Sequence, residues 1–326
     1  MKQRILSRIA AHIHIDSVKD LAFISLGKCA AIDPAGASLA LSKTACVIAA
    51  GTWAESRCLI KNRDRNYHPR LVVFHEEIDG MEVCYLKDLE TGWVEGMNAQ
   101  GMGIVNSALM VGRDEAEKKR AKKGEPTKDG QQMLTALAMD DPRKASAYLC
   151  TKKTRMLGHT IIGTPKTLRT IEQTSKHSFI EKESIKDTVL VRTNHGWNHE
   201  DAGYQKGEDH TSTLVRRENA QRVLEDVAAV RDLAPALRKH RYRNPAFNIV
   251  RDAKMETSSQ MVLNLSDKAM LLYLLPGKQE FLGVVNTLGR KPKIVLEVFT
   301  YDKGGKVKEV KYAEINESDV PDDVVE

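Results

Sequence analysis

Beyond residue 45 the chain is built of short apolar runs separated by polar turn residues. Cys46-Val47-Ile48-Ala49-Ala50 reads as a strand, Gly51–Ser56 as a turn, and RCLIKNRD as the returning strand. LVVFHEEI, MEVCYLKD, WVEGMN and MGIVNSAL follow, divided by Asp79-Gly80, Thr91-Gly92 and Gln100-Gly101. Such pairs are hairpin signals, so this half predicts an antiparallel sheet. From Gly130 to about Lys153 the apolar spacing turns helical, with Asp141-Pro142 dividing two helices. HTIIGTPKTLRTIEQ, HSFIEKE and DTVLVRTNH return to strands. TSTLVRRENAQRVLEDVAAV predicts an amphipathic helix with Thr211, Ser212 or Thr213 as its N-cap. QMVLNLSDKAMLLYLL and KIVLEVFTYD are two closing strands. Strands, helices, strands, a helix and strands again predict an α+β protein: two antiparallel sheets packed together and covered by helices.

Residues 1–45 are unlike the rest. Short apolar pieces, LAFISLG and ASLALS, are broken by Asp33-Pro34-Ala35-Gly36. This segment reads as an N-terminal extension or pro-segment, and 46–326 as the folded domain. The 326 residues are 41% hydrophobic, enough for a sizeable core. No apolar run approaches the ~20 residues of a membrane helix. The basic start lacks the apolar stretch of a secretory signal, so the cytoplasm is the default compartment. Five cysteines without C-x-x-C spacing argue against a disulfide framework and a zinc ribbon.

Net charge is +6, concentrated in EKKRAKKGEPTK at 117–128 and opposed by the acidic tail ESDVPDDVVE. A solvated loop accounts for the basic stretch. Nucleic-acid binding would need a stacking surface; aromatics are 5% of the chain and none lies in that run.

Cys46 opens a strand after the small polar segment Ser42-Lys43-Thr44-Ala45. The hairpin folds Lys61-Asn62-Arg63-Asp64 back beside it, so cations and a carboxylate are expected to converge on the sulfur. Cations favour the thiolate, and a carboxylate can orient an ammonium. Core packing of the thiol and a surface ion-pair cluster are the bland readings. Thr193-Asn194-His195 ends a strand, where an amide side chain donates to an oxyanion or caps a turn.

In this order, Cys46, Lys61-Asn62-Arg63-Asp64, Gly96-Met97-Asn98-Ala99-Gln100-Gly101-Met102 and Thr193-Asn194-His195 resemble the choloylglycine hydrolase and penicillin acyltransferase group of the N-terminal nucleophile superfamily, which includes the penicillin V acylases. His210–Arg217 resembles the serine-plus-arginine helix of the acyltransferase branch. The likeness spans about residues 46–300. It implies a four-layer αββα sandwich and self-cleavage between Ala45 and Cys46. It also implies that Cys46 is the nucleophile, with its freed α-amine as base. Asp64 would orient that amine, and Asn194 would hold the amine or line the oxyanion hole. Lys61 stands where the family often has arginine, with Arg63 two positions on and Asn62 between. Asn106 is the nearest match to a second oxyanion asparagine; a one-residue shift would put Ala108 there. His195, Ser212 and Arg216 are substrate-binding candidates, and neither cofactor nor metal is implied. Asp64 and Asn194 are expected to act on the reaction rather than on the fold.

The chemistry is coherent by itself. A free α-amine titrates at about 7.7–8.0 and a thiol at about 8.5, so proton exchange between them near neutrality is almost isoenergetic. One residue then supplies nucleophile and base. The partner is a small-molecule amide, and the chain is compatible with a homo-oligomer. Rival readings are a Cys–His hydrolase using Cys58 or Cys150, and a metal site at His12-x-His14-x-Asp16 or His195 with His199. A third rival is a non-enzymatic module that keeps the fold with Cys46 unprocessed.

Overall fold

The computed structural model describes residues 45–65, 71–88, 91–109, 129–151, 156–174, 178–183, 189–198, 211–239, 242–251, 256–274, 280–287, 293–301 and 307–316. The expected pro-segment, His12, His14, Asp16, the 117–128 stretch, His199, His210 and the acidic tail lie outside the described residues.

The first hairpin joins β1 (Ala45–Trp53) to β2 (Ser56–Arg65). Its turn is the pair Ala54-Glu55, with φ of 46° and 66°. Two consecutive residues with positive φ form the tight turn whose twist matches paired strands. Asp79-Gly80 repeats that geometry between β3 (Leu71–Ile78) and β4 (Met81–Asp88). Next come β5 (Val94–Asn98), β6 (Gly103–Ser107), helix α1 (Asp129–Leu137) and helix α2 (Pro142–Leu149). Asp141 is the N-cap of α2, accepting from the Arg143 N–H, and Pro142 occupies the first turn. β7 (Gly158–Gly163), β8 (Leu168–Gln173), β9 (Ser178–Glu183) and a three-residue β10 (Leu190–Arg192) precede α3 (Thr211–Glu225) and α4 (Leu233–Lys239).

The C-terminal third departs from expectation. Where two closing strands were predicted there are five: β11 (Glu256–Asn264), β12 (Ala269–Leu274), β13 (Glu280–Thr287), β14 (Lys293–Tyr301) and β15 (Val307–Asn316). The run QMVLNLSDKAMLLYLL looks continuous in its apolar residues. It is nevertheless cut by a turn in which Lys268 takes φ 53° and Asn264 bonds Asp267.

The strands form two antiparallel sheets. Sheet A runs β10-β1-β2-β11-β12-β13-β14-β15, and sheet B runs β3-β4-β5-β6-β7-β8-β9. β1 and β2 pack on β6 and β7, α1 and α2 cover sheet B, and α3 and α4 cover sheet A. The molecule is therefore the αββα sandwich expected, with an apolar core under each helix pair. Val47, Ala49, Ile60 and Val262 meet Ala220, Leu224 and Leu237 on the sheet A side. Val83, Ile104 and Ile162 meet Met133, Leu137 and Leu149 on the sheet B side.

This pleat assigns every site residue to a layer. On β1, Val47 and Ala49 face the helices, so Cys46 and Ile48 face sheet B. Cys46 pairs with Arg63 and Ala45 with Asp64. Lys61, Arg63 and Arg65 therefore share the inner face with the Cys46 sulfur, while Asn62 and Asp64 face α3 and α4.

Candidate active site

Cys46 is 2% exposed. β10 pairs with β1 only as far as Arg192↔Ile48, so the backbone of Cys46 lies past the end of its neighbouring strand. The Asn194 side chain replaces the missing strand partner: Cys46 N donates to Asn194 Oδ1 at 3.0 Å. Arg216, fully buried on α3, ties this corner together. Its Nη2 donates to the same Asn194 oxygen at 3.0 Å, and its Nη1 to the Cys46 carbonyl at 3.4 Å and to Asp64 Oδ2 at 3.5 Å. Burial draws Arg216 down to about 10, with Arg251 adding to the shift and Asp64 opposing it. It remains a cation at neutral pH.

Asp64 has no exposed surface and points into the helix layer. Thr257 Oγ1 donates to its Oδ1 at 2.6 Å, and Arg251 Nε lies 3.7 Å from Oδ2. Burial pushes the carboxyl up, while Arg216, Arg251 and the Thr257 hydrogen bond hold it down. The expected convergence of Asp64 on the sulfur is thus not observed. Successive side chains of a strand point to opposite faces, and Asp64 shares its face with Asn62 rather than with Arg63. It approaches the Cys46 backbone through Arg216 instead.

The sulfur's own face is cationic. Arg65 Nη1 donates to Cys46 Sγ at 3.9 Å and to the Asp64 carbonyl at 2.9 Å. Arg63, opposite Cys46, pairs with Glu95 and lies 3.5 Å from Asp88. Lys61 Nζ lies 2.6 Å from Glu95 Oε1 and donates to the Asn106 carbonyl. Burial alone would raise Glu95, but Arg63, Lys61 and Arg65 together bring it to about 2. Glu95 and Asp88, from sheet B, are what make three buried cations tolerable here; a buried charge without a partner is severely disfavoured. Neither carboxylate stood out in the sequence, because each arrives from the opposite sheet with no local spacing to Cys46.

The other candidates divide. Asn106 lies on the helix side of sheet B, in line with Ile104; its Nδ2 donates to Thr160 at 2.8 Å and its Oδ1 is buried without a hydrogen bond. The structure does not bring its side chain to Cys46. The next-but-one residue does reach the site, since the Ala108 carbonyl accepts from Asn194 Nδ2 at 2.7 Å. Both ends of the Asn194 amide are thereby occupied. Asn62 accepts from Gln260 and donates to the Ile249 carbonyl in the helix layer. His195 is buried, its Nδ1 within 3.0 Å of Thr193 Oγ1 and 2.7 Å of Thr213 Oγ1. Ser212 donates to the Ala246 carbonyl and accepts from Arg251. Cys58 sits in the core beneath α3, where burial pushes its thiol up to about 12. Cys46 and Cys58 are free thiols. Among the described residues no group of three or more histidine, cysteine or acidic side chains could hold a metal ion. No helix among them is long and apolar enough to cross a membrane.

No family model and no curated protein sequence matches this chain. Among solved structures it is similar to penicillin V acylase from Agrobacterium tumefaciens, with a TM-score of 0.39 and 11% identity over 82% of this chain and 90% of that one.

Proposed function

We propose that this chain is a self-processing cysteine amidohydrolase or acyltransferase of the N-terminal nucleophile type, acting on a linear non-peptide amide through a thioester on Cys46. One observation carries the reading. The Cys46 nitrogen, the atom that cleavage after Ala45 turns into a free amine, is held by Asn194 Oδ1, and Arg216 joins that oxygen to the Cys46 carbonyl and to Asp64. A core cysteine has no need of a buried asparagine, arginine and aspartate around its main chain.

In the maturation step the Cys46 sulfur attacks the Ala45 carbonyl, the Ala45–Cys46 C–N bond breaks, and water opens the resulting thioester to release residues 1–45 as a carboxylic acid. The liberated amine stays on Asn194. In turnover the thiol proton passes to this amine while sulfur attacks the substrate carbonyl. The ammonium returns the proton to the departing amine, leaving an acyl thioester. Water ends the cycle as a hydrolase and a second amine ends it as a transferase. Asn194 serves the amine rather than the oxyanion, because both Nδ2 protons are already given, one to the Ala108 carbonyl and one to Ser107 Oγ. Arg65, beside the sulfur, is the donor that faces negative charge developing on the carbonyl oxygen.

The test is the intact mass of the purified protein, followed by acid quench after incubation with a panel of N-acyl amines. A chain beginning at Cys46 and an acyl adduct on its first peptide are the expected results. A stable full-length chain with no adduct assigns the fold to a non-enzymatic binding or structural module.

A further inference from the structure

Past Arg192 the pairing of β10 with β1 ends, and among the described residues no strand pairs with Thr193–Asn198. Three side chains of sheet B take their place, and they come from neighbouring strands in register. Ser107 on β6 is opposite His159 on β7, which is opposite Glu172 on β8. All three point to the inner face, since Ile104, Ile162 and Ile171 point to the helices.

The row meets the segment residue by residue. Ser107 Oγ donates to the Thr193 carbonyl at 2.9 Å and receives Asn194 Nδ2 at 3.3 Å. His159 Nε2 lies 2.7 Å from the His195 carbonyl; a carbonyl only accepts, so Nε2 carries the proton. Glu172 Oε2 accepts the Trp197 N–H at 2.8 Å and the Asn198 N–H at 2.9 Å. His159 and Glu172 are 3% and 2% exposed, and their side chains stand 3.8 Å apart, too far for a direct hydrogen bond. Each thus hydrogen-bonds the segment rather than the other. A glutamate and a histidine in a sheet interior are unfavourable unless they satisfy particular groups, and the groups they satisfy flank Asn194.

We infer that Ser107, His159 and Glu172 are positioning residues: they fix the Thr193–Asn198 segment against sheet B and so set the Asn194 side chain on the Cys46 nitrogen. The consequence for catalysis rests on the reading of Cys46 proposed above; the mechanical role does not.

The test separates the two. In protein labelled with [15N]asparagine, the Nδ2 protons of Asn194 are assigned by their loss in Asn194→Ala, and those of Asn98, buried against α1, serve as internal reference. His159→Ala and Glu172→Ala are expected to speed exchange at Asn194 about tenfold or more relative to Asn98. His159→Gln, which puts an N–H where Nε2 stood, restores protection. Where the parent cleaves an N-acyl amine, kcat falls in the alanine variants by roughly tenfold or more, with KM within about threefold. Unchanged Asn194 exchange in the alanine variants overturns the inference. So does exchange that rises equally at Asn98, since that is general loosening. If Glu172→Ala does not fold, His159→Ala and His159→Gln decide alone. A parent that cleaves no amide, with exchange behaving as expected, keeps the positioning role and removes the enzymatic reading.

Discussion

Two thiols on one hairpin illustrate how far a single residue's surroundings decide its chemistry. Cys46 lies at a strand end with Asn194 on its nitrogen and Arg65 at its sulfur; Cys58 lies in the core with its thiol raised to about 12. Cys46→Ala is expected to abolish both processing and turnover. Cys58→Ala is expected to keep both and to lower stability by about 1–2 kcal/mol, read as a shift of the urea midpoint. A dead Cys58→Ala with parental stability would move the nucleophile. Asp64 behaves differently from its sequence expectation. Buried against Thr257, Arg216 and Arg251, it supports the fold as well as the site. Asp64→Asn leaves two guanidinium groups without their counter-charge, so a loss of roughly 3–5 kcal/mol is expected in addition to lost activity. Parental thermal stability in that variant would return Asp64 to a purely chemical role. Spacing and resemblance grouped Cys46, Asp64 and Asn194 and named Arg216 only for the substrate, and the structure brings the four side by side. Glu95, Asp88, Thr257 and Arg251 were not legible, because only the folded sheets bring them near.

Among the elements, the glycine hairpin between β5 and β6, one of the motifs behind the resemblance, is held by bonds that join it to helix α1. Asn98 Oδ1 accepts the Gln100 and Met102 N–H groups across the turn, and its Nδ2 donates to the Leu137 and Met139 carbonyls at the end of α1. One side chain closes the hairpin and caps the helix above it, while Gly101 supplies φ 81°. Asn98→Ala is expected to cost about 2 kcal/mol or more, because buried N–H and C=O groups lose their partners, while folded molecules keep their specific activity. A thermal melt paired with active-site titration measures both; lost activity per folded molecule would place the hairpin in the site. Helix α3 shows why its periodicity was only half informative. Its buried stripe is Thr213, Arg216 and Asn219 before it becomes Ala220, Val223 and Leu224. The apolar half anchors the helix in the core, with Trp53 Nε1 donating to the Leu224 carbonyl at 2.9 Å. The polar half faces the candidate site, and a hydrophobic pattern is blind to it. Thr211–Thr213 also fall inside the helix rather than before it, which frees Thr213 Oγ1 for His195.

At the scale of the molecule, two packed antiparallel sheets followed from the order of elements and the four-layer sandwich from the resemblance, whereas the joining of the two sheets followed from neither. β2 brings cations to the interface, β4 and β5 answer with carboxylates, and β7 and β8 reach back to the segment after β10. This construction has a pH signature. His159, enclosed by Glu172, the His195 carbonyl and Arg192, is lowered by burial from its ordinary 6.5 to about 4, against the opposing pull of that carbonyl and of Glu172. Above about pH 6.5 the imidazole is neutral in both folded and unfolded chains and contributes no slope. Between about 6.5 and 4 the unfolded chain takes up a proton that the folded chain refuses. Stability therefore falls with pH across that window, by roughly 3 kcal/mol in all, and this contribution levels off below it. His159→Gln keeps an N–H for the His195 carbonyl but carries no titrating group. Urea midpoints measured from pH 7 to pH 4 are expected to fall more steeply in the parent than in His159→Gln. Parallel slopes would mean that His159 binds its proton equally in both states, and that the contact between the sheets is not paid for by a neutral, buried imidazole.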